Sequence, residues 1–330
     1  MRKRGNDWVS IAAYALAAAA NQMLWLTFAP ITSESALHYG VSEDAIGWLS
    51  EIFPLLYVVL AVPAGLLLDR WLRPVLVGAA ALTAAGGCLR LVHDTYAFAF
   101  AGQVLVAIAQ PAILGAVTKL ASERLEPESR TLGISLGSAG IFAGAVAALA
   151  LGATVGARDQ LRPLLVSGAV VAVVAALAIA VALRRPGTHE AGESVAIGRR
   201  ELRAIYGDSV LRRLSLIAFM GFGVFVALTT WLQVLLEPAG VSSSTAGWLL
   251  VGMTVAGVIG SVLLPEPVAE RQRERYFLRG AAICVALSLM ALAVSGEVAV
   301  AAVAVALIGL FLLSALPVLL ELTERRAGVA

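Results

Sequence analysis

The sequence predicts an all-α membrane protein with ten transmembrane helices. Of its 330 residues, 60% are hydrophobic and 14% are charged, whereas a soluble domain has roughly a quarter charged residues and just under half apolar ones. The apolar residues are gathered into ten runs, long enough to cross the hydrocarbon core as helices and too long for the strands of a barrel. The basic residues lie almost entirely on one side of these runs.

Most of the ten apolar runs are separated by short polar intervals. The runs cover residues 8–31, 46–68, 75–92, 96–120, 131–155, 161–183, 214–236, 245–264, 277–294 and 298–320. The third and ninth runs are the shortest and lie near the lower length limit for a span. The fifth run carries Gly133, Gly137, Gly140 and Gly144, a pattern that predicts close packing against a neighbouring helix.

The first run begins directly after three basic residues, Arg2, Lys3 and Arg4. Secretory signal peptides begin in the same way, so a cleaved signal is the alternative interpretation. This run continues to Ile31, which is longer than a typical signal core, and nine more runs follow it. We therefore predict that it is the first transmembrane helix.

The placement of Lys and Arg predicts which side of the membrane each loop occupies. Of the 24 Lys and Arg residues, all but Arg90, Arg158 and Arg162 lie on the side of the N-terminus when the ten runs are taken to alternate. Basic residues are retained in the cytoplasm, so the N-terminus is expected to be cytoplasmic. A wrong helix count would scramble this alternation, and the pattern therefore supports ten spans.

The longest polar interval predicts how the helices are grouped. It defines an N-terminal six-helix bundle over residues 1–183, a cytoplasmic linker over 184–213 and a partial four-helix bundle over 214–330. A protein built from two five-helix repeats would be divided after the fifth run, where only residues 156–160 stand. The expectation is therefore six helices plus four, with the C-terminal half incomplete. The second half of the linker is either a short amphipathic helix on the inner leaflet or a solvated connector.

The interval between the second and third runs carries a recognisable motif. Residues 65–73, which we call the latch loop, read Gly-Leu-Leu-Leu-Asp-Arg-Trp-Leu-Arg. They resemble the G-x-x-x-D-R-x-G-R signature of the major facilitator superfamily, with Leu72 in place of the second glycine. The resemblance implies a major facilitator fold in which Gly65, Asp69, Arg70 and Arg73 form a conformational latch. We expect Gly65 to let helices approach closely and Asp69 to lie near the N-terminal dipole of a neighbouring helix; the alternative is an ordinary positive-inside loop.

Several stretches, in order along the chain, are similar to one branch of that superfamily, the feline leukaemia virus subgroup C receptor-related proteins. These stretches are residues 21–25, 48–50, 102–103, 109–115, 255–261 and 321–323. That branch imports choline and ethanolamine and was long discussed as a haem exporter. The resemblance covers all ten runs and implies that the last two helices of a twelve-helix fold are missing.

The resemblance also implies a substrate site in the middle of the first and fourth runs. Trp25 and Gln110 match the family's helix-one tryptophan and helix-four glutamine, and Asn21, Gln22 and Gln233 are added as polar candidates within the runs. A quaternary ammonium group binds well to the face of an indole, and a glutamine can bond a hydroxyl. The alternatives are that Trp25 packs against lipid or a neighbouring helix and that the polar residues bridge helices.

The sequence differs from this family in the seventh run, where Ala227 aligns with a tyrosine of the family's cation site. Phe225 and Trp231 are the nearest aromatic residues. This difference leaves choline itself open as the substrate.

Glu51 is the one acidic residue well within an apolar run. A carboxylate there is costly unless it is paired, protonated or facing water. It is a candidate cation or proton site, and the alternative is that it reaches the outer headgroups.

The sequence contains no enzyme signature of the HExxH, P-loop or G-x-S-x-G type, and its three histidines and two cysteines are scattered. We therefore predict no enzyme activity, no cofactor, no metal and no nucleic-acid partner. The prediction is a monomeric multi-pass transporter of the cell membrane, with the lipid bilayer and a small organic solute such as choline as its partners, acting by alternating access. A carrier of an unrelated metabolite or drug and a non-transporting truncated relative are the alternatives.

Overall fold

Helices form all the regular secondary structure in the described part of the chain. The computed structural model describes residues 6–154, 160–184 and 207–327, with side chains up to residue 323. The chain is divided into two compact units, residues 1–195 and residues 196–330. Most of the predicted linker lies outside the described residues, so the predicted domain limits and the amphipathic helix stay predictions.

The described residues of the first unit form seven α-helices. They are α1 (Trp8–Trp25), α2 (Thr32–Tyr39), α3 (Glu43–Leu89), α4 (Tyr96–Gly115), α5 (Val117–Arg124), α6 (Pro127–Thr154) and α7 (Leu161–Ala182). A 3₁₀ segment, Leu26–Ile31, joins α1 to α2. Gly40, at φ 66°, ends α2 in the left-handed conformation that glycine adopts most readily.

The long helix α3 contains two of the predicted spans. A straight helix of its 47 residues would be about 70 Å long, more than twice the roughly 30 Å of a hydrocarbon core. Trp71 breaks it with non-helical torsions of φ −144° and ψ 60°. Pro74 then lies in the first turn of the second arm, where its missing N–H has no helical partner to lose.

The ten predicted spans are therefore confirmed with one difference in how they are joined. Nine helices in the described part of the chain are long and apolar enough to cross a membrane, and one of them is α3. Its two arms correspond to the second and third runs. The latch loop is helical and forms no separate turn between the two arms. Only Trp71 has non-helical backbone torsions.

Glycines of α6 bring its main chain against that of α1. A Cβ atom on Gly140 would overlap the carbonyl of Ala15, and one on Gly144 would overlap the carbonyl of Ala19. The close packing predicted for the fifth run is confirmed. Helix α1, which carries most of the candidate site, is thereby fixed along one side.

Polar contacts join elements at one end of this unit, and a hydrophobic cluster joins elements at the other. At the end that carries the N-terminus, which we call the N-terminal side, Asp7 caps α1 and pairs with Arg124 at 3.2 Å. Asn6 bonds the main-chain N–H of Glu126 at 2.7 Å and the hydroxyl of Ser129 at 3.1 Å. At the opposite side, a hydrophobic cluster joins the 3₁₀ segment, through Phe28 and Ile31, to α2 and to the beginnings of α3, α4 and α7.

In the second unit, the described residues form five α-helices. They are α8 (Ser209–Leu236), α9 (Ser243–Leu263), α10 (Pro265–Glu270), α11 (Glu274–Val294) and α12 (Val298–Ala327). Helices α9 and α12 pack through glycines, because a Cβ atom on Gly257 would lie 2.9 Å from the carbonyl oxygen of Gly309. Four of these helices are long and apolar enough to cross a membrane, which agrees with the four predicted after the linker.

We predict that Gly144→Val destabilises the protein by about 1–3 kcal/mol, because the added side chain cannot enter the α1–α6 contact without moving the main chain. Thermal unfolding of the detergent-solubilised chain measures the effect. Gly78→Val is the matched control, since nothing lies within 4 Å of a Cβ atom built there. Equal unfolding midpoints for the two variants would contradict the packing account.

Candidate functional site

Trp25 is the last residue of α1, at the point where the α-helix passes into the 3₁₀ segment. Its side chain is buried, with 6% of its surface exposed. The indole N–H donates to the main-chain oxygen of Ser50 at 3.0 Å. The ring stacks on Phe53, with centroids 5.7 Å apart and planes at 26°. The indole is thus held in one orientation by two residues of α3.

Gln103 of α4 binds the main chain beside this tryptophan. Its side-chain N–H₂ donates to the oxygen of Leu49 at 3.0 Å and to the oxygen of Trp25 at 3.5 Å. The buried Gln103 amide is thereby hydrogen-bonded, as a polar group in an apolar interior must be to avoid a penalty. The sequence indicated Gln103 only as a polar residue within a run; its place beside Trp25 depends on the crossing of three helices, which no local pattern reveals.

Asn21 joins α1 to α3 and α4. Its amide nitrogen donates to the hydroxyl of Thr83 at 3.2 Å and to the main-chain oxygen of Val106 at 3.1 Å. The amide donors of Asn21 are therefore used between helices, as in the bridging alternative. Its oxygen, Oδ1, has no protein donor in the described part of the chain.

Gln22 and Gln110 differ from Asn21 because their amide nitrogens have no acceptor among the described residues. Each side chain is 3% exposed. Gln110 follows Gln103 by seven residues, so both lie on the face of α4 that contacts α1, about 10 Å apart along the axis. Gln22 lies three residues before Trp25, on the same side of α1. Both amides are thus buried hydrogen-bond donors, Gln22 one turn from Trp25 on α1 and Gln110 two turns from Gln103 on α4.

Glu51 and Gln233 lie near different parts of the chain. Glu51 follows Ser50 on α3 and is half-buried. Gln233 belongs to α8 of the second unit, where it is buried and donates to Glu237 at 3.1 Å. The predicted grouping of Gln233 with Trp25 stays a prediction.

The latch loop has a partner that the sequence did not indicate. Lys119 of α5 lies 3.6 Å from the Asp69 carboxylate and also donates to the Asp69 main-chain oxygen. The guanidinium of Arg70 lies 4.7 Å from the ring centroid of Trp71, a cation–π contact. Arg73 is exposed.

The close approach expected at Gly65 is wrong, because a Cβ atom there would meet nothing within 4 Å. The partner found for Asp69 is the Lys119 side chain. Near Lys119, the pKa of the Glu123 carboxyl is raised from its ordinary value, because the effect of burial is larger than the opposing effect of the Lys119 and Arg124 charges. The N-terminal side of the unit therefore carries a small charged network on α3 and α5.

Nothing in the described residues provides a metal site, since no group of three or more His, Cys, Asp or Glu side chains could hold an ion there. The candidate site consists of the aromatic pair Trp25 and Phe53 and of buried amides, and Glu51 follows in sequence the residue that binds the indole. Such a set can bind a small organic molecule through an aromatic face and a few hydrogen bonds.

These helices define a multi-pass membrane protein whose polar site is enclosed by transmembrane helices. The sequence profile described as Major Facilitator Superfamily matches residues 11–330, and the chain belongs to this family. It is a family of transporters rather than of enzymes, which implies a small-molecule substrate and embedding in a membrane.

Two curated relatives illustrate the likeness. Solute carrier family 49 member A3 of Danio rerio is 30% identical over 341 aligned positions, which cover 96% of this chain and 71% of the relative. The choline/ethanolamine transporter flvcr2b of Danio rerio is 26% identical over 279 positions, which cover 78% of this chain and 58% of the relative. The resemblance to the feline leukaemia virus subgroup C receptor-related branch is thus confirmed.

A solved structure shares the fold. A bacterial homolog of the human lysosomal transporter Spinster, in an inward-facing and unoccupied conformation, matches with a TM-score of 0.76 and 17% identity. The match covers 100% of this chain and 79% of that one. The predicted major facilitator fold is confirmed.

We predict that Asn21→Leu lowers the free energy of unfolding by about 1 kcal/mol, because two interhelical hydrogen bonds of about 0.6 kcal/mol each are lost. Gln22→Leu, the matched control on the next residue, should cost less, since its amide nitrogen has no protein acceptor. Thermal unfolding in detergent compares the two variants. If Gln22→Leu is the more destabilising change, the conclusion that the Asn21 amide bridges helices and the Gln22 amide nitrogen does not is wrong.

Proposed function

We propose that this chain carries a small organic cation of the choline class across the cell membrane by alternating access, as a monomer with a cytoplasmic N-terminus. The observation that carries the proposal is the orientation of Trp25. Its indole is buried beside Phe53, and its N–H is already bonded to Ser50. The proposal assigns the cationic group of the substrate to the aromatic ring of Trp25, which Phe53 and Ser50 hold in one orientation.

An aromatic surface of this kind suits a quaternary ammonium group. Such a cation has no N–H to donate, and it is attracted to the face of a tryptophan by about 0.5–2 kcal/mol, depending on desolvation. The names of the relatives point the same way, since flvcr2b is a choline/ethanolamine transporter. We therefore assign the cationic end of the substrate to Trp25.

The buried amides suit the other end of the substrate. The nitrogens of Gln22 and Gln110 are hydrogen-bond donors that a hydroxyl oxygen can accept from. Asn21 supports the site through α3 and α4, and its Oδ1 is the atom that it offers to a ligand. Gln233 is proposed as a contact contributed by the second half.

Glu51 is proposed to attract the cation. It is half-buried on α3, next to the residue that binds the Trp25 indole. A carboxylate at that depth is stabilised by a cation that approaches it. No arginine lies within the predicted fourth run, and the fifth run lacks a Gly-Pro motif. Both of these are features of drug antiporters in this superfamily, and their absence favours facilitated diffusion.

The latch loop is proposed to hold one conformation of the carrier. Asp69 of α3 and Lys119 of α5 are drawn together by opposite charge on the N-terminal side. Arg70 and Arg73 extend the same charged surface. Alternating access requires such contacts to break and form again in each cycle.

A carrier of an unrelated metabolite is the second candidate, and one residue favours it. Ala227 of α8 stands where the resembling family has a tyrosine. The aromatic residues of α8 nearest to it are Phe225, which stacks on Phe222 at 6.5 Å, and Trp231. A site with fewer aromatic faces would bind a quaternary ammonium group less tightly.

We predict saturable choline uptake into proteoliposomes that contain the chain. In Trp25→Ala the KM should rise by about 2- to 30-fold, which is the loss of one cation–π contact. Trp25→Phe should retain part of the affinity because a phenyl face remains. Trp248→Ala is the matched control, since Trp248 is an exposed tryptophan of the second unit.

Absence of uptake for choline and for other organic cations would overturn the proposed substrate class. Uptake of a different solute would then favour the second candidate. No transport of any solute would favour a non-transporting relative, and equal KM values for wild type and Trp25→Ala would remove Trp25 from the site.

We predict that Asp69→Asn and Lys119→Gln each slow the initial rate of uptake with little change in KM, because they act on the conformational step. The double variant should be no slower than either single variant, since each removes the same contact. Initial rates at saturating substrate measure this. Additive losses would show that the two residues act separately.

A further inference from the structure

Arg90 is a buried cation that the proposed transport site does not use. It follows Leu89, the last residue of α3, on the opposite side of the first unit. Only 3% of its surface is exposed. The guanidinium donates from Nη1 to the main-chain oxygen of Leu24 at 3.3 Å, and its central carbon lies 5.9 Å from the ring centroid of Phe28.

Helix α4 leaves space for the Arg90 side chain at Gly102. A Cβ atom on Gly102 of α4 would lie 2.6 Å from Cγ of Arg90. Any larger residue at position 102 would displace the arginine stem. Arg90 is therefore buried at the contact between α3 and α4, because Gly102 has no side chain that would occupy the same space.

No carboxylate of the described residues forms an ion pair with Arg90. An arginine cannot lose its proton under physiological conditions, and it has five N–H donors. In the described part of the chain, Nε and Nη2 have no acceptor. The acidic residue that follows in sequence, Asp94, is paired with His38 at 2.9 Å. A buried cation of this kind costs several kcal/mol unless an anion accompanies it.

We propose that Arg90 binds a small monovalent anion, such as chloride, through Nε and Nη2. One negative charge matches the single charge of the guanidinium, and charge-assisted hydrogen bonds are the strongest that these donors can make. A small ion suits a side chain enclosed by Leu24, Phe28 and Gly102.

The proposed site lies close to exposed residues of the unit. Arg90 lies one residue beyond the end of α3, and residues 92–95 of the following loop are exposed. Through Arg90, the bound anion strengthens the contact of α3 and α4 with α1 next to Trp25. The site is separate from transport, so it stands whether or not choline is carried.

Thermal unfolding of the purified full-length chain in detergent tests the proposal. Chloride or bromide, compared with gluconate at constant ionic strength, should raise the midpoint saturably by about 2–4 °C. Arg90→Gln should remove this increment. Arg162→Gln should retain it, because Arg162 is an exposed arginine on the same side of the same unit. Equal midpoints in chloride and gluconate, or an unchanged increment in Arg90→Gln, would overturn the proposal.

A second measurement does not depend on the folding of Arg90→Gln. Crystals of the wild-type chain grown in bromide should show anomalous scattering beside the Arg90 guanidinium. Bromide peaks elsewhere with none at Arg90, or no peak at all, would mean that water alone satisfies these donors, and the proposal would fail.

Discussion

Hydrocarbon cannot replace the hydrogen bonds of water, and the arrangement of α1, α3 and α4 depends on this constraint. Four main-chain oxygens, those of Leu24, Trp25, Leu49 and Ser50, accept hydrogen bonds from buried side chains. The donors are Trp25, Arg90 and Gln103. Two of these oxygens, those of Leu24 and Trp25, lie at the end of α1, and the other two lie within α3. The bond from Trp25 to Ser50 also fixes the orientation of the indole.

This arrangement links stability to function. The glycines of α6 and the amide of Asn21 hold α1 in place along its length. The buried side chains that do not bond across helices are the ones that we propose for the ligand. Gln22 and Gln110 belong to this group, because their buried amide nitrogens have no protein acceptor in the described part of the chain.

Features that depend on composition and periodicity could be predicted from the sequence. The ten spans, the close packing of the glycine-rich α6 and the major facilitator fold are of this kind. Features that depend on how helices cross could not. The break at Trp71, the pairing of Asp69 with Lys119 and the open space at Gly65 each involve residues that are distant in sequence or a local geometry that several sequences could adopt. The clearest case is the different environment of Asn21 and Gln22, which are adjacent and carry the same amide group. Only the neighbouring helices determine that the Asn21 amide nitrogen has protein acceptors and the Gln22 amide nitrogen has none among the described residues.

The proposed substrate class depends most on recognition of positive charge by the aromatic face of Trp25. Competition binding to the purified chain, with labelled choline against unlabelled choline and its neutral isostere 3,3-dimethylbutanol, tests this directly. The two competitors share shape and hydroxyl and differ in charge. The account predicts that choline competes about 2- to 30-fold better, and that this preference is lost in Trp25→Ala. Equal competition by the two compounds in the wild-type chain would contradict it.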